Sequence, residues 1–213
     1  MNALIIYTHP NPGSFNHAIF ETARETLEAA GHHVKCRKLY DGDFKTTLDG
    51  ADFQAFARGE MPQDIAREQE LVEWADLLVF VYPVWWYDRP ARLKGWIDRT
   101  WTSGFAFRYG PDGVEGLLSG KQAVVFQTTG APREAYEADG GVEVIERPMR
   151  DGTLRFCGLE VPVYETFHAV PYVADETRAS MLEVVRSKLA TLSARADAQA
   201  WSSSQAMRSH DSA

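Results

Sequence analysis

Cysteine is nearly absent from this 213-residue chain: Cys36 and Cys157 are the only two. They form no C-x-x-C pair and join no metal-ligand cluster, which argues against a structural metal site or a disulfide scaffold and fits a reducing compartment. Long hydrophobic runs are missing as well. No segment approaches the ~20 apolar residues of a membrane-spanning helix. The start, Met1–Tyr7, has no basic region and too short an apolar run for a secretory signal, so a cytoplasmic location is expected. Positive charge is in deficit: 22 Lys and Arg face 30 Asp and Glu, for a net charge of −8. That balance argues against a sequence-independent affinity for nucleic acid or anionic membranes. The glycine patterns of Walker loops and dinucleotide folds are absent too.

What is present is ordinary in bulk and unusual in one place. Hydrophobic residues at 45% and charged residues at 24% describe a globular chain with enough apolar material for one substantial core. We expect one domain over residues 1–193 and a disordered tail over 194–213, where Ser and Ala dominate. The unusual place is Tyr82–Trp101, Y-P-V-W-W-Y-D-R-P-A-R-L-K-G-W-I-D-R-T-W. The apolar run Leu77–Val81 before it reads as a strand buried on both faces. Pro83 ends that strand and releases Val84, Trp85, Trp86 and Tyr87 into a loop. Pro90 then suits a helix start, with Leu93, Trp96, Ile97 and Trp101 at helical spacing. Taken alone, the aromatic run serves either packing or a ligand.

The remaining chain alternates strand and helix. Strands are expected at Ala3–Tyr7, Val34–Leu39, Leu77–Val81, Ala123–Gln127 and Leu159–Tyr164, with Pro162 placing the last at a sheet edge. Helices are expected from Ser14 or Asn16 to Gly31, over Ile65–Trp74, after Pro90, over Val142–Phe156 and over Asp175–Leu192. Asp41–Pro62 reads as a long connection with one short helix, and Ser103–Gly120 as a loop carrying Phe105, Phe107 and Tyr109. This is the pattern of an α/β three-layer sandwich: a five-stranded parallel sheet in the flavodoxin-like order 2-1-3-4-5. That order gathers the loops Thr8–Asn16, Pro83–Tyr87 and Thr128–Ala131 at one mouth. The first loop enters a helix amino terminus, which suits a phosphate, and His9, Ser14 and Asn16 can add donors; taken alone, Ser14 and Asn16 read first as ordinary caps. The second offers flat walls and backbone groups. The third offers hydroxyls and a glycine that permits close approach. A phosphate end and a flat-ring end at one mouth meet the needs of a flavin.

The same residues resemble a known family. H-P-N-P-G-S-F-N at His9–Asn16, A-D-L-L-V-F at Ala75–Phe80 and P-V-W-W-Y at Pro83–Tyr87 are similar to the flavodoxin-like NAD(P)H:quinone reductases of the DT-diaphorase type. So are P-A-R-L-K-G-W-I-D-R at Pro90–Arg99, F-A-F at Phe105–Phe107, T-T-G at Thr128–Gly130 and F-C-G at Phe156–Gly158. The resemblance implies a homodimeric two-electron flavoenzyme that carries FAD, with FMN as the alternative. It takes NADH or NADPH as co-substrate and a quinone or other planar molecule as acceptor. It implies a phosphate site at His9, Ser14, Phe15 and Asn16. Ring contacts fall at Pro83, Val84, Trp86 and Tyr87, and the pocket is completed by Thr128, Thr129 and Gly130. Trp85 belongs to the same site, as pocket wall or as dimer interface. Tyr136 matches a Tyr that assists charge on the reduced flavin. The His that accompanies it in the family falls at Val142, or at a neighbour of Val142 if the loop is gapped, and the second glycine after Thr-Thr is replaced by Ala131. A second reading, from another class, is a flavodoxin-type electron carrier or a flavin-binding regulatory subunit of a transporter. His168, after the last strand, can approach the mouth but reads as structural.

Overall fold

The computed structural model describes residues 1–138 and 140–210, with residues 195–210 as backbone only. The chain runs β1 (Asn2–Tyr7), α1 (Phe15–Ala29), β2 (His33–Lys38), α2 (Gly50–Ala57), α3 (Gln63–Trp74), β3 (Leu77–Pro83) and α4 (Ala91–Thr100). A hairpin of β4 (Phe107–Gly110) and β5 (Gly113–Gly116) follows, then β6 (Gln122–Thr128), α5 (Arg133–Glu137) and α6 (Gly141–Met149). A π-helical segment (Arg150–Arg155), β7 (Glu160–Phe167) and α7 (Asp175–His210) complete it. The expected disordered tail, 194–213, falls almost wholly outside the described side chains.

The main sheet has the order β2-β1-β3-β6-β7, and every neighbouring pair is parallel. This is the flavodoxin-like order, with β6 and β7 as its fourth and fifth strands. Alternation along the strands sends side chains to two cores. Leu4, Ile6, Leu78, Phe80, Ala123 and Val125 pack with Val72 of α3 and Leu93, Trp96 and Ile97 of α4. Ala3, Ile5, Val79, Val81, Val124 and Phe126 pack with Ile19, Ala23 and Leu27 of α1 and Val185 and Leu189 of α7. All seven residues of β3 are buried, as its unbroken apolar run predicts for a central parallel strand.

Several local readings are corrected. β3 ends at Pro83 as expected, with Pro83 still paired to Thr128; the other local readings differ. Ser103–Gly120 is not simply a loop: Gly110 and Gly113 pair across a two-residue turn of Pro111 and Asp112. α5 was not expected. The helix predicted over Val142–Phe156 turns π-helical after Met149, beside Pro148, whose missing N–H cannot continue the α ladder. Glu160 and Val163 of β7 pair with Gln122 and Val124, so two residues of β7, Val161 and Pro162, oppose the single residue between those two. The connection before α3 is tied down by Arg99, which is 1% exposed and donates to Asp52 at 2.8 and 3.0 Å and to Asp64.

Candidate active site

Three strand ends meet at the mouth of the sheet. After β1, Asn11 shapes the loop: its N–H donates to His9 Nδ1 at 3.0 Å, and its Oδ1 accepts from Gly13 N–H at 2.8 Å. His9 Nδ1 is therefore an acceptor, which leaves the Nε2–H of the neutral ring as its donor. Burial pushes the His9 pKa down and favours that neutral form. Ser14 caps α1 by accepting from His17 N–H at 3.2 Å, so capping accounts for its hydroxyl. Phe15 and Asn16 open the helix, where backbone N–H groups have no intrahelical acceptor. Asn16 is buried and donates to Thr128 Oγ1 at 2.8 Å, while its Oδ1 has no hydrogen-bond partner.

After β3, the Val84 N–H donates to Thr128 O at 2.8 Å and prolongs the pairing with β6. The chain then turns sharply. Trp85 and Asp88 exchange backbone hydrogen bonds at 2.9 and 3.2 Å, and between them Trp86 and Tyr87 have φ of 54° and 62°. Two successive positive φ values are those of a type I′ turn, which usually takes Asn and Gly. The turn separates the two indoles. Trp85 faces the His9 ring at 5.8 Å, whereas Trp86 is 99% exposed.

After β6, Thr129 forms a hub. Its hydroxyl donates to Ala131 O at 2.8 Å, so its contact with His168 Nδ1 at 3.0 Å is accepted from a protonated Nδ1. Tyr136, 8% exposed, lies between Tyr87 at 5.2 Å and His168 at 5.7 Å, tilted to both rings. Burial raises the pKa of the Tyr136 phenol, with the nearby Tyr87 in the same direction and the Thr129 hydroxyl opposing. Val142 packs with Ala131 against the Val84, Tyr136 and Ile145 cluster.

These loops enclose a cavity of about 550 Å³. His9, Ser14, Phe15, Asn16, Pro83, Val84, Trp85, Thr128, Thr129 and Gly130 all line it. Trp86 and Tyr87 are not on its wall, because the I′ turn carries them to the rim. Tyr136 is not on it either: it stands behind the aromatic loop with His168. Sequence reasoning missed Gly13, Val170, Pro171 and Arg178, which also line the cavity. Only the position of Val170 and Pro171 just after the last strand could have signalled them. The cavity matches a flavin in its donor set. It has helix N–H groups and the His9 Nε2–H at one end, an unpartnered buried acceptor on Asn16 and an aromatic wall at Trp85. At Gly130 a Cβ would meet nothing within 4 Å, so the backbone stays open to a ligand there.

A family model for the flavodoxin-like fold matches residues 1–189. A ribosyldihydronicotinamide dehydrogenase-like protein of Penicillium crustosum is 35% identical over 87% of this chain and 80% of its own. NAD(P)H dehydrogenase [quinone] 1 of Cavia porcellus is 34% identical over 84% of this chain and 73% of its own. The solved NAD(P)H:quinone oxidoreductase of Methanothermobacter marburgensis is 31% identical and covers 90% of this chain and 96% of its own, with a TM-score of 0.80. This chain belongs to the flavodoxin-like family and, within it, to the NAD(P)H:quinone oxidoreductases.

Proposed function

We propose that this protein is a flavin-dependent oxidoreductase that moves a hydride from NADH or NADPH to a quinone or a related planar acceptor. The observation that carries the reading is the one cavity that the three strand-end loops share, lined by the start of α1, by the Trp85 indole and by the Thr128–Gly130 backbone. When bound, a flavin would supply the two-electron chemistry by receiving hydride and passing it on. The chain would do the rest. His9, Ser14, Phe15 and Asn16 would hold a phosphate at the start of α1. Pro83, Val84 and Trp85 would support one face of a flat ring, with Thr128, Thr129 and Gly130 along its edge. Trp86 and Tyr87, at the rim, would cover the donor and acceptor rather than the cofactor. Tyr136 would donate a hydrogen bond to negative charge developing near that rim.

FAD is favoured over FMN by the resemblance to the DT-diaphorase type, and Pro171 and Arg178, outside the three loops, add further lining to the cavity. A homodimer is favoured because Trp86 at 99% and its neighbour Tyr87 at 44% exposure present aromatic rings that a second copy would cover. The test is an anaerobic titration of the purified protein with NADPH and, separately, NADH, followed in the visible spectrum. One equivalent should bleach the bound flavin in a single step, and a quinone should restore the colour. A colourless protein that takes up neither FAD nor FMN would overturn the reading; bleaching in two one-electron steps would favour an electron carrier.

A further inference from the structure

A row of polar side chains crosses the sheet just beneath the mouth, and the proposed reaction uses none of it. Tyr164 donates to Gln127 Oε1 at 3.2 Å, so its contact with Tyr82 at 3.0 Å is accepted from the Tyr82 hydroxyl. Gln127 Nε2 donates to Thr166 Oγ1 at 2.9 Å, and the Thr166 hydroxyl donates to Glu146 Oε1 at 3.2 Å. Arg150 holds the other oxygen of Glu146 at 2.8 Å. Every hydrogen along this belt is given in one direction, towards the carboxylate. Burial pushes up both phenols, which stay neutral. Among the described residues, none of the five side chains leaves a buried polar atom unpartnered.

The break in register of β7 makes the belt possible. Gln127 pairs with Tyr82 on one side and with Thr166 on the other, which puts all three side chains on one face. Without the extra residue at Val161–Pro162, Glu165 would oppose Gln127, and Tyr164 and Thr166 would turn to the opposite face. The belt ends where α6 meets the site. Ile145, beside Glu146, packs with Tyr136 and Val84. Thr166 stands two residues before His168, whose ring lies 5.7 Å from that of Tyr136. The hydrogen bond from Thr166 to Glu146 thus ties β7 to α6 alongside the contact of Tyr136 with His168. A fully satisfied buried network rigidifies what it joins, whereas removing one member leaves its neighbours without partners.

We infer that Thr166 is a positioning residue: through Glu146 and Ile145 it fixes the Tyr136 phenol at the depth from which it serves the reaction. The inference rests on the reading of Tyr136 as the hydrogen-bond donor to developing negative charge.

The test compares Thr166→Val, which has nearly the same shape without the hydroxyl, with Thr166→Ser, which keeps it, in NADPH-driven quinone reduction. In Thr166→Val, kcat should fall about tenfold, the order of one hydrogen bond in the transition state, with KM for both substrates within about twofold and the flavin still bound. Thr166→Ser should restore most of kcat. A second readout needs no turnover: nitration of the tyrosines in the protein as purified, mapped by mass spectrometry. Tyr136, 8% exposed, should react severalfold faster in Thr166→Val, while Tyr172, 83% exposed, keeps its rate. Glu146→Ala, at the outer end of the belt, should reproduce both effects and decides the matter if Thr166→Val does not fold. Parent kcat in either variant, no recovery in Thr166→Ser, loss of the flavin or unchanged nitration of Tyr136 would overturn the inference. A parent protein that NADPH does not bleach would overturn the reading of the reaction instead, and nitration would still report how firmly the belt holds Tyr136.

Discussion

Trp85 and Trp86 share a chemistry and differ in surroundings. Trp85 lines the cavity at the strand ends, and Trp86 is 99% exposed on a left-handed backbone. Trp85→Ala should therefore weaken flavin binding by about tenfold, or ~1.4 kcal/mol, while Trp86→Ala leaves it near the parent value; flavin fluorescence quenching measures both. Equal losses would mean that the exposed indole is a cofactor wall after all. A left-handed non-glycine residue costs ~1–2 kcal/mol, so Trp86→Gly should stabilise the fold by about 1 kcal/mol. Denaturant midpoints would show it, and a destabilised variant would mean that the turn is unstrained. This strain was not legible in the sequence, where W-W-Y reads as one aromatic run. The partners of His168 were not legible for a related reason. Nothing local reveals that its ring meets Tyr136 and donates to Thr129 from another strand end. Burial lowers its pKa, with Arg133 acting in the same direction and Glu134 and Glu137 opposing. The folded state thus takes up a proton less readily than the unfolded chain. Its contribution to stability is present above pH ~6.5 and is lost as the pH falls towards the folded pKa. Stability measured across pH 7 to 5 should decline less in His168→Gln.

At the scale of elements, α4 is held by a seam the sequence did not display. A Cβ on Gly95 would lie 1.8 Å from the Thr46 carbonyl oxygen, so the long connection before α2 lies directly on this helix. Gly95→Ala must push that connection away, at an expected cost of about 1–3 kcal/mol in thermal or chemical unfolding. The neighbouring turn of α4 supplies Arg99, whose guanidinium holds the Asp52 carboxyl well below the usual carboxylate range against the opposing effect of burial. A depressed carboxylate pKa contributes stability above pH ~4 and loses it as the pH falls towards the folded value. Asp52→Asn should lower stability at pH 7 and flatten the acid limb; an unchanged acid limb would show that the pair contributes no pH dependence. Asp52 and Arg99 are too far apart in the chain for any helical or strand period to relate them. The β4–β5 hairpin was missed although Asp112-Gly113 is a turn signal, because its four-residue strands are too short to show alternation. α5, with five residues, escaped for the same reason.

The whole molecule was the most legible level. Apolar runs separated by helical periods force parallel strands and right-handed crossovers, and once the order is set, the loops after the first, third and fourth strands must share a mouth. Sequence could not say how deep each loop residue sits, because a single turn decides which indole faces inward. If the exposed aromatics are an interface, sedimentation should give twice the 23.9 kDa chain mass, and Trp86→Ala should shift it towards monomer. The two outer strands bear on how such a pair can form. β7 carries Pro162 at a break in register, and β2 sets three basic residues, Lys35, Arg37 and Lys38, along the opposite margin. Both margins are thereby guarded against accepting a foreign strand. Continuous-sheet assembly is closed to this protein, and copies are left to meet through side chains. If copies pair through the exposed aromatics, self-association and access to the cavity at the strand ends would draw on the same loop, and a change that weakens one should disturb the other.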